Sequence, residues 1–387
     1  MQAAPPPPGP LGRYRLLSPT AGLRVSPLCL GAMNFGEGWK ELMGECSKET
    51  AFEILDYFYE QGGNFIDTAN AYQGGDSERW LGGWMASRKN RDEMVISTKY
   101  TVGNVPDGQS PKIRVNYQGN HMKSMNLSLE SSLQRLQTSF IDILYVHMWD
   151  FSTPVEEVMI GLNRLVMAGK VNYLGISDCP AWIVVKANNY ARQHGLAPFV
   201  LYQGRFSAAN RDVEREVLPM CEDQGLGFCA FGTLGSGNFK TKEQREKEAR
   251  EGVKGRNSFT NNTSEHYIKI TNKLAKLAAK KNTHITSVAM AYAIQKAPYI
   301  FPLIGCRTLE QLKSNVEALK LKLTEEEIKE IEAADTFEPG YPFQLVFQMY
   351  NPAVPYHARM TISDIPGACW AGVIEAVEKP RAIHPHS

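Results

Sequence analysis

Apolar residues follow two alternating spacings along the chain. Short runs of β-branched and aromatic residues, typical of buried strands, alternate with longer segments whose apolar residues recur every three or four positions, as on one face of a helix. The strand-like runs occupy residues 28–31, 64–67, 94–98, 141–146, 171–176, 199–203, 226–231 and 299–304. The pattern therefore predicts eight strands separated by helices.

Capping and breaking residues mark where several of these helices begin and end. Ser47 is placed to cap a helix that the glycines at 62 and 63 end. Thr153 and Pro154 predict another helix start, with the threonine as N-cap and the proline at the first helical position, and Gly169 ends that helix. Further helical patterns lie near residues 76–87, 122–136, 180 onward, 212–224, 267–277 and 287–294.

Strands separated by helices pair in parallel, and eight of them favour an α/β fold in which the sheet closes into a (β/α)8 TIM barrel. An open doubly wound sheet is the alternative. It is disfavoured because no G-x-G-x-x-G follows the first strand, and the nearest glycine-rich run, at 232–237, follows the seventh. The sequence therefore predicts a single-domain barrel with long loops over its C-terminal mouth.

Three segments fall outside the repeat. Residues 1–12 include four consecutive prolines and are expected to form a disordered tail, while residues 13–335 form the catalytic barrel. Residues 235–264 are polar and lack apolar periodicity, which predicts a mobile loop over the mouth. Residues 336–387 are expected to be a C-terminal extension that ends in a flexible tail. Its part from 336 to 370 is either a lid over the mouth or a strap on the barrel flank.

Composition narrows the function classes. The 42 basic and 41 acidic side chains nearly cancel, and no basic stripe accompanies the aromatics, so neither nucleic acid nor an anionic membrane is expected as a partner. No apolar run approaches the ~20 residues that span a bilayer, and the N-terminus does not resemble a signal peptide. Seven scattered cysteines without C-x-x-C favour reduced thiols and a cytoplasmic protein.

Four chemically distinctive residues are predicted to meet at the barrel mouth, where strands end. Asp67, Lys99 and His147 end the second, third and fourth strands, and Tyr72 lies in the loop after the second. A tyrosine exchanges a proton near neutrality only if a cation stabilises its phenolate. Lys99 can supply that charge, Asp67 can hold the ammonium, and His147 can hydrogen-bond a carbonyl oxygen. Each residue alone has a structural explanation, but together they indicate a catalytic site.

The same residues carry a resemblance to a known family. The segments FIDTANAY, ISTK and YVHMWD resemble the Asp-Tyr-Lys-His tetrad of the aldo-keto reductase superfamily. Their flanks, GGNFIDTANAYQGGDSERWLGGWM and YLGISDCPAWIVVKAN, resemble the fungal aryl-alcohol dehydrogenase branch, which includes norsolorinic acid reductase-like enzymes. The likeness extends from about Gly22 to Asp335, so it covers most of the chain.

The resemblance implies a nicotinamide cofactor, NADP(H), across the barrel mouth. It places Ser177, Asp178 and Gln203 on the carboxamide, with Tyr202 or a nearby aromatic residue stacked on the nicotinamide ring. Many members have asparagine where this chain has Asp178. A carboxylate can accept a hydrogen bond from the amide NH₂ but cannot donate one to its oxygen, so that contact is altered.

Two further segments are implied to bind the rest of the cofactor. The first would approach the pyrophosphate through its backbone and comprises Gly232, Thr233, Leu234 and Gly235. The second follows the last strand at a helix N-terminus, which suits an anion, and offers Gly305, Arg307, Thr308, Gln311 and Asn315. Arg307 is expected to favour NADPH over NADH through a 2′-phosphate contact.

The leading hypothesis is an NADPH-dependent reductase, or the reverse alcohol dehydrogenase, acting on aromatic aldehydes or ketones in fungal aromatic polyketide secondary metabolism. A regulatory subunit of the potassium-channel beta type, which holds cofactor with little turnover, is the alternative. A metal hydrolase is disfavoured because the histidines show no H-x-H or H-E-x-x-H spacing, and no metal site is expected. The exact substrate, the direction of reaction and the oligomeric state stay open.

Overall fold

The computed structural model describes residues 5–103, 105–251, 264–348 and 360–365, together with residues 372, 374, 375, 377 and 379–383. Its strands, in chain order, are β1 (Arg15–Ser18), β2 (Ala21–Val25), β3 (Cys29–Gly31), β4 (Phe65–Asp67), β5 (Val95–Tyr100), β6 (Ile141–Val146), β7 (Val171–Ser177), β8 (Phe199–Arg205), β9 (Gly227–Phe231) and β10 (Ile300–Gly305). Strands β3 to β10 form a closed barrel in sequence order, and β10 pairs with β3 to complete it. All eight barrel pairings are parallel, which confirms the predicted fold.

An antiparallel hairpin of β1 and β2 precedes the barrel and was not predicted. Its apolar residues Leu17, Ala21 and Val25 are buried in one cluster with barrel-interior residues such as Phe65 and Phe301. Burying a leucine fully contributes roughly 1.5–3 kcal/mol, so the hairpin is a stabilising plug at the N-terminal end of the barrel. That leaves the opposite end, where the barrel strands terminate, as the accessible mouth.

The helices predicted between the strands lie at nearly the expected positions. The described helices are α1 (Lys40–Met43), α2 (Lys48–Glu60), α3 (Asp76–Arg88), α4 (Met122–Leu136), α5 (Val155–Met167), α6 (Ala181–Gln193), α7 (Val217–Gln224), α8 (Lys242–Glu251), α9 (Glu265–Lys280), α10 (Ile285–Lys296), α11 (Leu309–Glu317) and α12 (Glu325–Glu332). Some of them, such as α1, α8 and α12, were not predicted. Their apolar faces share one large buried cluster with the outward-facing strand residues. Among the described residues, no helix is both long and apolar enough to cross a membrane.

The predicted N-caps of α2 and α5 can be compared with the structure. The Ser47 side chain accepts a hydrogen bond from the Thr50 N–H, as predicted for the cap of α2. The prediction for α5 was wrong by one residue, since Pro154 itself is the N-cap and Thr153 lies outside the helix. The Thr153 hydroxyl instead donates to Asp150 at 2.8 Å, a local bond that competes with capping.

The segments outside the repeat differ in part from expectation. In the predicted loop 235–264, residues Lys242–Glu251 form helix α8; residues 252–263 lie outside the described part. The α8 sequence has no apolar face, which hid it from a periodicity argument, but it consists largely of strong helix formers. Within the expected N-terminal tail, Pro10–Gly12 form a turn that buries Leu11 completely.

The described parts of the C-terminal extension contact the barrel. The centroid of the Phe337 ring lies 4.5 Å from the Arg211 guanidinium carbon, and the Glu338 carbonyl accepts a hydrogen bond from Arg215 Nε at 2.9 Å. Further along, Lys379 pairs with Glu222 of α7 at 3.2 Å. Much of the segment predicted to be a lid or a strap, residues 349–359 and 366–370, lies outside the described part of the chain.

Candidate active site

Adjacent strand ends bring three of the predicted catalytic residues together. Asp67 ends β4, Lys99 is the penultimate residue of β5, and His147 directly follows β6. These strands are neighbours in the barrel, and Asp67 pairs in register with Ser97 of β5. Tyr72 begins a short 3-10 turn after β4, Tyr72–Gly75, which returns it to the same mouth.

Asp67 and Lys99 form a buried ion pair. The Lys99 ammonium donates to Asp67 Oδ2 at 2.5 Å and to the Thr68 carbonyl at 2.7 Å. The other carboxylate oxygen of Asp67 accepts from Ser97 Oγ at 2.8 Å and from Gln203 Nε2 at 3.1 Å. Both side chains of the pair are almost inaccessible to solvent. The ammonium is thus held in one position by a carboxylate that is itself anchored.

The environment of Lys99 keeps it charged. Burial alone lowers the pKa of the ammonium, but the nearby Asp67 carboxylate and Tyr72 phenol raise it, and the net pKa lies above the ordinary value. A fixed positive charge therefore persists at the floor of the mouth across the physiological range.

Tyr72 lies beside this charge. The Lys99 nitrogen is 5.1 Å from the centroid of the Tyr72 ring. Burial raises the pKa of the Tyr72 phenol, and the Lys99 charge opposes this rise without reversing it. The phenol is therefore protonated at neutral pH. A cation at this distance lowers the free-energy cost of forming a phenolate.

His147 packs edge-on against Tyr72, with ring centroids 5.8 Å apart and an interplanar angle of 78°. Burial, followed by the Lys99 charge, lowers the pKa of His147 to about 3, so the imidazole is neutral. Within the described part of the chain, its buried Nδ1 has no hydrogen-bond partner. A neutral ring keeps one N–H donor, and such a donor can hydrogen-bond a carbonyl oxygen near the Tyr72 hydroxyl.

The loop that carries Tyr72 is clamped by Arg135 of α4, a residue that the sequence reasoning missed. Its guanidinium donates to the Asn70 carbonyl at 2.9 Å and lies 3.5 Å from buried Glu78. Gly75 has φ +95°, and a Cβ there would lie 2.6 Å from the Arg135 guanidinium carbon. A signal was available, since Glu78 and Arg135 each adjoin the apolar positions of a predicted helix, where an unpaired charge is rare.

The residues expected to hold the carboxamide also lie at adjoining strand ends. Ser177 and Gln203 are paired in register, and the Asp178 N–H donates to the Gln203 carbonyl at 3.2 Å. Asp178 has a left-handed backbone at φ +41°, and burial raises the pKa of its carboxyl group despite the charge of Arg205. Because the Gln203 amide N–H contacts Asp67, the glutamine links the implied cofactor contacts to the ion pair.

Tyr202 faces away from the mouth. Its ring stacks on Phe228 with centroids 5.8 Å apart, and its hydroxyl donates to the Cys179 carbonyl at 2.8 Å. Phe231 is better placed for stacking on a nicotinamide ring. It lies two residues beyond Cys229, which faces the barrel interior, and strand alternation therefore directs Phe231 to the same side at the mouth. The sequence had left this choice open.

The loop after β9 has the shape of an anion cradle. Gly232 and Gly235 have φ of +73° and +71°, Ser236 has φ +51°, and the Gly235 N–H donates to the Gly232 carbonyl at 2.9 Å. Successive N–H groups in such left-handed turns form a concave surface for phosphate oxygens. The Thr233 hydroxyl is engaged by the Ala230 carbonyl at 3.0 Å, and Leu234 packs against the core. The predicted segment 232–235 thus offers backbone N–H groups, and the left-handed turns continue to Ser236.

The segment after β10 gathers its five implied residues around the start of α11. Thr308 caps the helix by accepting from the Gln311 N–H at 3.3 Å, and Gln311 Oε1 accepts from the Arg307 N–H at 2.9 Å. The Arg307 guanidinium contacts the Met43 carbonyl at 3.4 Å. Asn315 is buried and donates to the Cys306 thiol, while Gly305 is exposed beside Asn34. An arginine beside a helix N-terminus can bind an anionic group such as a phosphate.

The mouth is also lined by apolar side chains. Met148 and Phe151 follow His147 and are 43% and 70% exposed. Trp39, in the loop after β3, makes an edge contact with Tyr72 at 6.0 Å between ring centroids. Exposed apolar groups next to reactive polar groups are typical of a small-molecule site.

Comparison with known proteins gives one consistent result. The model of the aldo/keto reductase family matches residues 27–336. The chain is 53% identical to norsolorinic acid reductase A of Aspergillus parasiticus over 385 residues, which cover all of this chain and 96% of the relative. It is 52% identical to aryl-alcohol dehydrogenase GME11368 of Pestalotiopsis microspora, with 88% of this chain and 87% of the relative covered. It is 47% identical to putative aryl-alcohol dehydrogenase AAD14 of Saccharomyces cerevisiae, with 88% and 92% covered.

Proposed function

The chain belongs to the aldo/keto reductase family, and from that premise we propose that it is an NADPH-dependent reductase of aromatic aldehydes or ketones. The same site would oxidise the corresponding alcohols in reverse. The observation that carries the proposal is the contact of the Tyr72 ring with both the His147 ring and the buried Lys99 ammonium. We assign Asp67, Tyr72, Lys99 and His147 as the catalytic group.

These four residues can divide the work of carbonyl reduction. A nicotinamide cofactor, when bound, would supply the hydride for the carbonyl carbon. His147, as a neutral donor, orients the carbonyl oxygen, and Tyr72 gives that oxygen its proton as the carbon receives the hydride. Lys99 stabilises the phenolate that remains, and Asp67 keeps the ammonium in place. In alcohol oxidation, the phenolate accepts the hydroxyl proton.

We further propose that the cofactor is NADP(H), bound by Ser177, Asp178 and Gln203, by the loop 232–235 and by the residues that begin α11. Members of the family generally use a nicotinamide cofactor. Arg307 lies beside the first turn of α11 and would contact a 2′-phosphate. No acidic residue between Gly305 and Leu309 is available to bind a free ribose diol.

The aromatic character of the substrate is proposed from the mouth itself. Trp39, Met148 and Phe151 offer apolar and aromatic contacts next to the reacting group. The names of the relatives, a norsolorinic acid reductase and aryl-alcohol dehydrogenases, agree with this proposal and with fungal secondary metabolism. A regulatory subunit with little turnover is not favoured by those names. We also propose that residues 13–335 form the catalytic domain and that the protein is cytoplasmic.

The test is NADPH oxidation by the purified protein with three classes of carbonyl compound: aromatic aldehydes, short aliphatic aldehydes and polyketide-like aryl ketones. We expect turnover with the aromatic classes at a higher kcat/KM than with the aliphatic one. Tight NADPH binding without consumption by any carbonyl would refute the enzyme assignment and support the regulatory alternative.

A further inference from the structure

We propose that Gln73 is a positioning residue that selects aromatic substrates by fixing Trp39 over Tyr72. The inference rests on the proposed function, because it concerns the substrate class of the same site. Gln73 directly follows the proposed proton donor in the chain. Its side chain points away from the reacting groups into the loop after β3, which carries Trp39.

Gln73 makes two hydrogen bonds across to that loop. Its Nε2 donates to the Met33 carbonyl at 2.9 Å, and its Oε1 accepts from the Trp39 N–H at 2.6 Å. Gln73 is 2% exposed, so water does not compete for these bonds. Both ends of the segment 33–39 are therefore tied to the residue next to Tyr72.

The backbone at Gln73 is unusual for a glutamine. Its φ of +56° lies in the left-handed region, which costs a residue with a Cβ more than it costs glycine. A glycine would relieve this strain but would remove both hydrogen bonds. The strained backbone therefore places between the two loops a side chain that both donates and accepts a hydrogen bond.

The loop after β3 is shaped to receive this side chain. A Cβ at Gly36 would lie 2.4 Å from the Gln73 Cβ, and a Cβ at Gly38 would lie 2.9 Å from the Gln73 carbonyl oxygen. Only glycine allows such close approach at these two positions. Gln73 and the two glycines therefore act together to bring the loop against the Tyr72 turn.

The result is an aromatic wall at the reacting group. Trp39 contacts Tyr72 with ring centroids 6.0 Å apart at 66°, and the indole is only partly buried. A substrate whose oxygen contacts the Tyr72 hydroxyl lies within reach of this indole. An aryl substituent gains a ring contact there, whereas a short alkyl group gains little.

The test uses a matched pair of substitutions. Gln73→Met keeps the size and the Cβ of the side chain but removes both hydrogen bonds. Gln137→Met is the control, because Gln137 is also a left-handed glutamine, at φ +52°, but is exposed at the end of α4. Steady-state kinetics are measured for each variant with benzaldehyde and with propanal, together with the Kd for NADPH.

We expect Gln73→Met to raise KM for benzaldehyde about two- to tenfold, the range of one aromatic contact. KM for propanal, the NADPH Kd and the pH profile of kcat should stay within twofold. The double variant with Trp39→Ala should lose no more than Trp39→Ala alone, since Gln73 acts through Trp39. Equal losses for both aldehydes, or losses that multiply in the double variant, would overturn the proposal.

Amide hydrogen exchange separates this inference from the proposed function. Gln73→Met should speed exchange at the Trp39 amide, which donates directly to Gln73, whereas Gln137→Met should not. Unchanged exchange would refute the coupling whether or not the protein is active. If the wild type reduces neither aldehyde, the proposed function fails while the exchange result still decides whether Gln73 holds Trp39.

Discussion

Two substitutions in the buried Asp67–Lys99 pair should rank oppositely in stability and in activity. Asp67→Asn should destabilise the protein more, whereas Lys99→Met should lower kcat more. Lys99→Met leaves Asp67 with two donors, Ser97 and Gln203. Asp67→Asn leaves the Lys99 ammonium with the Thr68 carbonyl as its main acceptor. The asparagine amide must also direct its NH₂ group at either Lys99 or Gln203, both of which are donors.

The size of the effect follows from burial. Removing one member of a buried ion pair costs roughly 3–5 kcal/mol, because the remaining charge has no compensation. The donor count puts Lys99→Met near the lower end, at about 3 kcal/mol, and Asp67→Asn near the upper end, at about 5 kcal/mol. The double variant removes both charges, so its loss should be only about 1–2 kcal/mol rather than the sum of the single losses.

Activity should follow the other order. Lys99→Met removes the charge that stabilises the Tyr72 phenolate and should lower kcat at least about 10²-fold. Asp67→Asn only loosens the ammonium and should lower kcat less. The double variant should regain most of its stability and remain as inactive as Lys99→Met, because the cation beside Tyr72 is still missing.

The assays are urea unfolding followed by far-UV circular dichroism, and NADPH-dependent reduction of an aromatic aldehyde, both at pH 7. Additive stability losses in the double variant would refute the ion-pair reasoning, since they would mean that the two charges do not compensate each other. A double variant with near-normal kcat would refute the role of Lys99.

Three further predictions concern the same site. Tyr72→Phe should lower kcat for carbonyl reduction about 10²–10⁴-fold while NADPH still binds, and unchanged turnover would show that another group donates the proton. The kcat of reduction should be flat from about pH 5 to about pH 8, because His147 stays neutral until the pH falls towards about 3 and the pKa of Tyr72 is raised above its ordinary value. A break near pH 6.5 would contradict the neutral imidazole. Arg307→Ala should weaken NADPH binding roughly ten- to a hundredfold and NADH binding little, as measured by fluorescence titration, and equal weakening would show that Arg307 does not contact the 2′-phosphate.

Local sequence patterns were sufficient for the barrel and for the position of its proposed chemistry. Each of the eight barrel strands and most helices follow from apolar spacing and caps within a few residues, and the closed sheet confirms that reasoning. The meeting of Asp67, Lys99 and His147 follows from the same pattern, because parallel neighbouring strands end at one face. The site could therefore be located from its strand ends.

The sequence did not reveal two kinds of feature. One is contacts between residues that are distant along the chain, and the other is which face of a strand a side chain occupies. Gln203 and Asp67 are 136 positions apart, and the Arg135 clamp on the Tyr72 loop spans 65. Tyr202 and Phe231 could be told apart only once the barrel fixed which side of each strand faces inward. Spacing along the chain specifies an element and its apolar face, but these polar contacts depend on how the packed elements orient their side chains, which only the tertiary structure decides.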